Sequence, residues 1–138
     1  MFGLSCLLAC MFWGSHPRIV VEGIERIESN FRVDARGSHN DVGILQITPI
    51  MVAECNRIVG ESRFKLSDRL DKEKSEQMFW AYSAYWAERS KDWTFEGIAR
   101  RWNGGPDGHR KPATRKYWDR VSSGYWDRAG RLTPMNVD

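Results

Sequence analysis

Glu28 and Ser29, followed after a polar loop by Gly43-Ile44-Leu45-Gln46-Ile47, are the residues of this sequence that chemistry would use first. Glu28 comes four residues after Ile24 and directly after Ile27, at the border of a repeating apolar face. A carboxyl so placed loses part of its hydration, which disfavours the charged form and raises its pKa toward the range of a general acid. The same spacing allows a plainer role, an exposed ion pair with Arg32 one turn on, which stabilises a helix by only a few tenths of a kcal/mol, roughly. Ser29 either orients the carboxyl or helps to end the helix.

Those residues need a frame, and the apolar spacing supplies helices. Pro17 suits a first helical position, and Val20, Ile24, Ile27 and Phe31 repeat at helical intervals, which predicts an amphipathic helix over 17–31. Thr48 can cap a second helix that starts at Pro49, runs through Val52, Cys55 and Val59, and stops at Gly60. Ser67 can cap a further segment. Ser75 to Arg89, with Met78, Phe79, Tyr82, Tyr85 and Trp86, predicts a central core helix. Thr94 opens another, through Ile98 and Trp102 to Gly104 and Gly105. Pro112 opens the last, with Thr114, Tyr117, Trp118, Val121 and Tyr125 on one face. No alternating strand pattern and no internal repeat accompanies them, so the expected fold class is mainly α.

Length and composition agree with one domain. A chain of 138 residues, 41% hydrophobic, can bury a single core. Seven tryptophans suit either that core or stacking on sugars and bases. The stretch from Ala99 to Arg131 carries a net +6 and the remainder a net −3, which favours an anionic partner or simply a solvated basic face. Cys6, Cys10 and Cys55 form no CxxC pair, and His16, His39 and His109 lie far apart, so neither a metal site nor a disulfide framework is expected. Cys55 falls on an apolar helical face and reads as a small buried hydrophobe. The first residues, MFGLSCLLACMFWGS, are apolar but lack a basic start and are too short to span a bilayer. The organisation expected is an apolar segment over 1–16, acting as a signal remnant or strap, one domain over 17–130, and a tail over 131–138.

Taken in order, Glu28-Ser29, Gly43-Ile44-Leu45-Gln46-Ile47, Trp102-Asn103-Gly104-Gly105-Pro106 and Thr114 to Tyr117 resemble the marks of the soluble-type lytic transglycosylase domain, a branch of the lysozyme-like superfamily. The resemblance spans roughly Ile19 to Tyr125. It implies a lysozyme-like helical domain with a substrate cleft, and Glu28 as the catalytic acid. Gly43 and Gln46 match the family's Gly-Leu-x-Gln piece at the cleft floor, with Ile44 and Leu45 as conservative departures. Trp102 stands where the family carries tyrosine, so a phenol hydroxyl expected near the acid is missing at that position, while the indole can still wall the cleft. Tyr117 matches the final cleft tyrosine. Ser29, Gly43, Gln46, Ile47, Trp102, Asn103, Gly104 and Tyr117 are therefore the expected substrate-binding residues. The amides of Gln46 and Asn103 suit the N-acetyl groups of an amino sugar. Glycines at 43, 104 and 105 admit close backbone approach, although 104 and 105 equally suit a helix end.

The implied reaction cleaves the β-1,4 bond between N-acetylmuramic acid and N-acetylglucosamine and leaves a 1,6-anhydro product, with no cofactor and no metal. Ordinary glycosidases pair the acid with a second carboxylate. Here the loop residues Asp34 and Asp41 are the candidates, and with either of them the enzyme would be a hydrolysing muramidase; both also suit turns. The partner implied is a peptidoglycan glycan strand, met outside the cytoplasmic membrane by a monomer without a membrane span. A noncatalytic module is the contrasting reading. It would bind cell wall, or bind nucleic acid through Arg115-Lys116-Tyr117-Trp118-Asp119-Arg120 by charge and stacking; the shared face of Tyr117, Trp118 and Val121 favours a core, and nucleic acid is not expected.

Overall fold

The structure is a computed structural model that describes residues 16–124. Five α-helices make up most of it: α1 His16–Ser29, α2 Pro49–Val59, α3 Lys72–Ser90, α4 Phe95–Gly104 and α5 Arg115–Ser122. Short 3-10 turns occupy Leu66–Leu70, Gly108–Arg110 and Pro112–Thr114. Among the described residues there is no strand beyond two isolated bridges, Arg36 to Val42 and Val42 to Ile47. The mainly α class expected from the sequence is the one observed. The apolar segment before residue 16, Cys6, Cys10, Tyr125 and the tail lie outside the described residues.

Local chemistry explains where the helices start. The Thr48 hydroxyl accepts from the Met51 amide ahead of Pro49, and Gly60 closes α2 in the left-handed region at φ 77°. Thr94 caps α4 in the same way by accepting from the Gly97 amide. The start of α3 differs from the reading that placed it at Ser75: Asp71 accepts from the Lys74 amide and begins the helix earlier, while Ser75 is buried and donates to the Arg69 carbonyl at 3.2 Å. Pro112 opens a 3-10 turn rather than the helix itself, and α5 begins only at Arg115. At the other end of the chain α1 stops at Ser29, short of Phe31. Asn30 and Phe31 both take left-handed backbone, φ 52° and 64°, and their amides close onto the Arg26 and Glu25 carbonyls.

α2 packs on α3, α3 on α4, and both α4 and α5 on α1. The core between them joins Val20, Val21 and Ile24 of α1 to Cys55, Met78, Phe79, Tyr82, Ile98, Trp102, Tyr117 and Val121. Phe79 sits edge-on to Trp80 and to Trp102, with ring centroids 4.9 and 5.0 Å apart, and Tyr82 meets Trp102 in the same manner. Burying a ring such as Phe79 stabilises by about 2 kcal/mol. Cys55 is fully buried, and its thiol reaches the Met78 carbonyl at 3.4 Å, a direct tie between α2 and α3. Burial pushes that thiol up to about 12.

The two buried arginines of α4 both find acidic partners. Arg101, 1% exposed, donates to the carboxylate and the carbonyl of Asp92. Arg100 ties α4 to the segment before α5 through the Thr114 hydroxyl and the Lys111 carbonyl, and pairs with Glu96 one turn back on α4 itself. These bonds hold the end of α4 and the start of α5 in register; the first lines the cleft described next, and the second carries Tyr117.

Candidate active site

Glu28 is the next-to-last residue of α1 and its side chain borders a cleft of about 360 Å³. The cleft is lined by Glu28, Asp41 and Gln46, by Thr48 and Met51 at the start of α2, by Tyr82, and by Trp102, Asn103 and Gly105 at the end of α4. Four separate segments of the chain therefore meet around one carboxyl. The Tyr117 hydroxyl donates to Glu28 Oε1 at 2.8 Å, across 89 residues of sequence. The surface pair with Arg32 is absent from the observed ion pairs; the Arg32 Nε lies 3.4 Å from the Ser29 carbonyl instead.

Burial raises the pKa of Glu28 above the ordinary carboxylate range, and the negative charge of Asp41 adds to that rise; the Tyr117 hydrogen bond and the Arg120 charge oppose both. The net direction is upward. A carboxyl whose protonated form is favoured in this way can deliver a proton to a leaving oxygen, and the same group once ionised can take one back.

The loop between α1 and α2 brings Asp41 and Gln46 to this carboxyl. The amide of Val42 donates to the Ile47 carbonyl and that of Ile47 to the Val42 carbonyl, which closes a tight loop around Gly43 to Gln46. Gly43 has φ 88°, and a Cβ there would lie 1.7 Å from the Arg69 carbonyl oxygen, so the position excludes any side chain. Gln46 also takes left-handed backbone, φ 49°, and its Nε2 donates to the Gly43 and Ala35 carbonyls. The Ser29 hydroxyl donates to the Ile44 carbonyl at 2.8 Å and so fastens the end of α1 to this loop. From the far side the buried Arg69 donates to the Asn40 and Ile47 carbonyls at 2.7 and 3.1 Å.

Several expected substrate contacts are corrected by this geometry. Ser29 is buried and spends its hydroxyl on the Ile44 and Glu25 carbonyls, not on the cleft. Ile47 is 1% exposed and belongs to the core. Gly43 is buried and outside the cleft lining, packed against the Arg69 carbonyl. Gly104 lies outside the lining because it packs toward Thr114, and Gly105, with φ 87°, takes the place at the cleft wall. Both amide hydrogens of Gln46 are used within the loop, although the residue does line the cleft. Asp34 is exposed and away from the lining, whereas Asp41 is part of it. Trp102 and Asn103 line the cleft together with Glu28, and Tyr117, which is not part of the lining, brings its phenol hydroxyl onto the carboxyl.

Thr48, Met51 and Tyr82 were not singled out as cleft residues from the sequence. Thr48 and Met51 follow Gln46 closely and form the first turn of α2, a signal that adjacency alone could have given. Tyr82 reads as a core aromatic and is one: it is 3% exposed and its hydroxyl donates to the Arg101 carbonyl. Among the described residues no group of His, Cys, Asp and Glu is placed to hold a metal ion. No helix among them is long and apolar enough to cross a membrane. No family model, curated protein or solved structure matches the chain.

Proposed function

We propose that this protein is a lytic transglycosylase of lysozyme-like fold that cleaves the β-1,4 bond between N-acetylmuramic acid and N-acetylglucosamine in peptidoglycan. The observation that carries the reading is the Glu28 carboxyl, buried enough to be raised in pKa, hydrogen-bonded by Tyr117 and open to a cleft walled by Trp102 and Asn103. In the first step Glu28 gives its proton to the glycosidic oxygen as the bond from C1 to that oxygen breaks, and the acetamido oxygen of the muramic acid residue bonds to C1. In the second step the C6 hydroxyl of the same sugar attacks C1 and displaces the acetamido oxygen. Glu28, now ionised, takes the hydroxyl proton, and a 1,6-anhydro sugar results. Trp102 offers a flat apolar wall for a sugar ring, and Asn103 an exposed amide for its polar groups. The substrate places the site of action outside the cytoplasmic membrane.

Asp41 supports a second reading. It lines the same cleft and its charge acts on Glu28, so a water held by Asp41 would make the enzyme a hydrolysing muramidase. Against this, one oxygen of Asp41 already accepts from the His39 amide at 2.9 Å within its own turn. The aromatic side chains of the Arg115 to Arg120 segment lend less to a nucleic-acid module, because Tyr117 is buried while Arg115, Lys116 and Arg120 are exposed.

Mass spectrometry of fragments released from purified peptidoglycan, with Glu28→Gln beside the wild type, tests all of these. Fragments lighter by one water at the muramic acid end, absent with the variant, are expected. Reducing-end fragments that vanish with Asp41→Asn would replace the transglycosylase with the hydrolase. A folded wild type that releases nothing would remove catalysis altogether.

A further inference from the structure

Glu25 lies one turn before Glu28 on α1 and is fully buried, yet neither of its carboxylate oxygens has a hydrogen-bond donor. Glu76 of α3 lies within hydrogen-bonding reach of it, and its buried Oε1 accepts no hydrogen bond, having only the longer ion pairs to Arg18 and Lys72. Two ionised carboxylates cannot face each other in a protein interior at tolerable cost, and a buried polar atom without a partner calls for an account. A single proton supplies one: it turns one acid into a donor and leaves the other as its acceptor. We propose that Glu25 and Glu76 share one proton between α1 and α3, and that this proton is a pH-sensitive latch on the helix that carries Glu28.

The surrounding charges decide which acid holds the proton. Arg18 of α1 and Lys72 of α3 lie 3.5 and 3.9 Å from Glu76 Oε1, which favours the charged form of Glu76. Glu22 is engaged by Arg18 at 3.2 Å. Arg100 and Arg101 of α4 pair with Glu96 and Asp92, Arg26 of α1 donates to the Arg120 carbonyl of α5, and the charges acting on Glu25 are those of Glu76, Lys72 and Arg18. The proton therefore resides on Glu25. Burial, with the bond to Glu76 and its charge, pushes Glu25 up to about 8, from an ordinary value of 4.5.

The sign of the consequence is fixed. The folded state holds a proton that the unfolded chain has released at pH values between about 4.5 and about 8. The latch contributes fully below that window, its contribution falls as pH rises through it, and none is left above. Glu28, also raised, adds a fall in the same direction, which Glu25→Gln leaves in place while removing the part due to the latch. The glutamine amide is a permanent donor to Glu76 and imitates the protonated acid.

Thermal unfolding of the full chain, followed by circular dichroism from about pH 5 to about pH 9, reads the latch directly. The wild-type midpoint should fall with pH more steeply than that of Glu25→Gln, and the variant should be the more stable of the two at the alkaline end. Glu76→Gln, which removes the like charge, should flatten the same profile and serves if Glu25→Gln does not fold. Carboxyl-carbon NMR of the wild type gives an independent reading: one glutamate titrating well above the others, missing from the Glu25→Gln spectrum, is expected. Equal slopes in wild type and the folded variant, or a Glu25 carboxyl titrating with the exposed glutamates, would overturn the proposal. Only its link to activity rests on Glu28 as the acid: a protein without activity but with this stability profile would keep the latch and lose the enzyme.

Discussion

Glu28 is the proton donor of the proposed reaction only while protonated, so activity should be lost as pH rises through its raised pKa. Its neighbours move that limb of the rate profile in opposite directions. Asp41 holds the pKa up, so Asp41→Asn should shift the loss of activity to lower pH; Tyr117 holds it down by hydrogen bonding, so Tyr117→Phe should shift it to higher pH. A pH series of turbidity assays on cell-wall suspensions would show both shifts, and parallel shifts of the two variants would contradict the assignment of their roles. Glu28→Gln should lower the rate by about 10²–10⁴-fold while leaving the thermal midpoint equal or higher, because a buried carboxyl is exchanged for a neutral amide. A variant that loses stability along with activity would instead make Glu28 a structural residue.

At the scale of elements, the loop around Gly43 transmits the position of α1 to the cleft. Gly43→Ala meets both a left-handed backbone and the Arg69 carbonyl, and should cost roughly 3 kcal/mol in urea unfolding. A cost below about 1 kcal/mol would mean that the loop gives way easily. Thr48→Ala, which removes the cap of α2 but no buried contact of that size, should cost about 1 kcal/mol. The contrast between these two sites also explains what the sequence made legible. Helix starts at Thr48 and Thr94 depend on residues three apart and could be read directly. Those three-residue signals do not extend to the bond from Ser29 to Ile44, or from Arg69 to Asn40 and Ile47, because each partner lies 15 to 29 residues away. For that reason Ser29 and Ile47 read as cleft residues until folding turned them inward, and Asp34 and Asp41 read alike until only one reached the cleft.

The whole molecule rests on a core that is also the back wall of the cleft, since Trp102 and Tyr82 belong to both. Phe79, which touches Trp102 and does not line the cleft, separates the two roles: Phe79→Ala should cost about 4 kcal/mol of stability and weaken the support of the indole. Denaturant unfolding checks the first effect, and a loss under about 1 kcal/mol would show that the aromatic cluster tolerates a void. The mainly α class was legible because five apolar periodicities run long enough to exclude strands, while the order of packing, with α1 against α4 and α5, arises from contacts distant in sequence. Cys55 gives this architecture a further use. With Cys6 and Cys10 replaced by serine it becomes the sole thiol of the chain, sealed between α2 and α3 and held far from its reactive form. An alkylating reagent can reach it only when those helices part, so its labelling rate counts openings of the intact fold, one molecule at a time, without any denaturant.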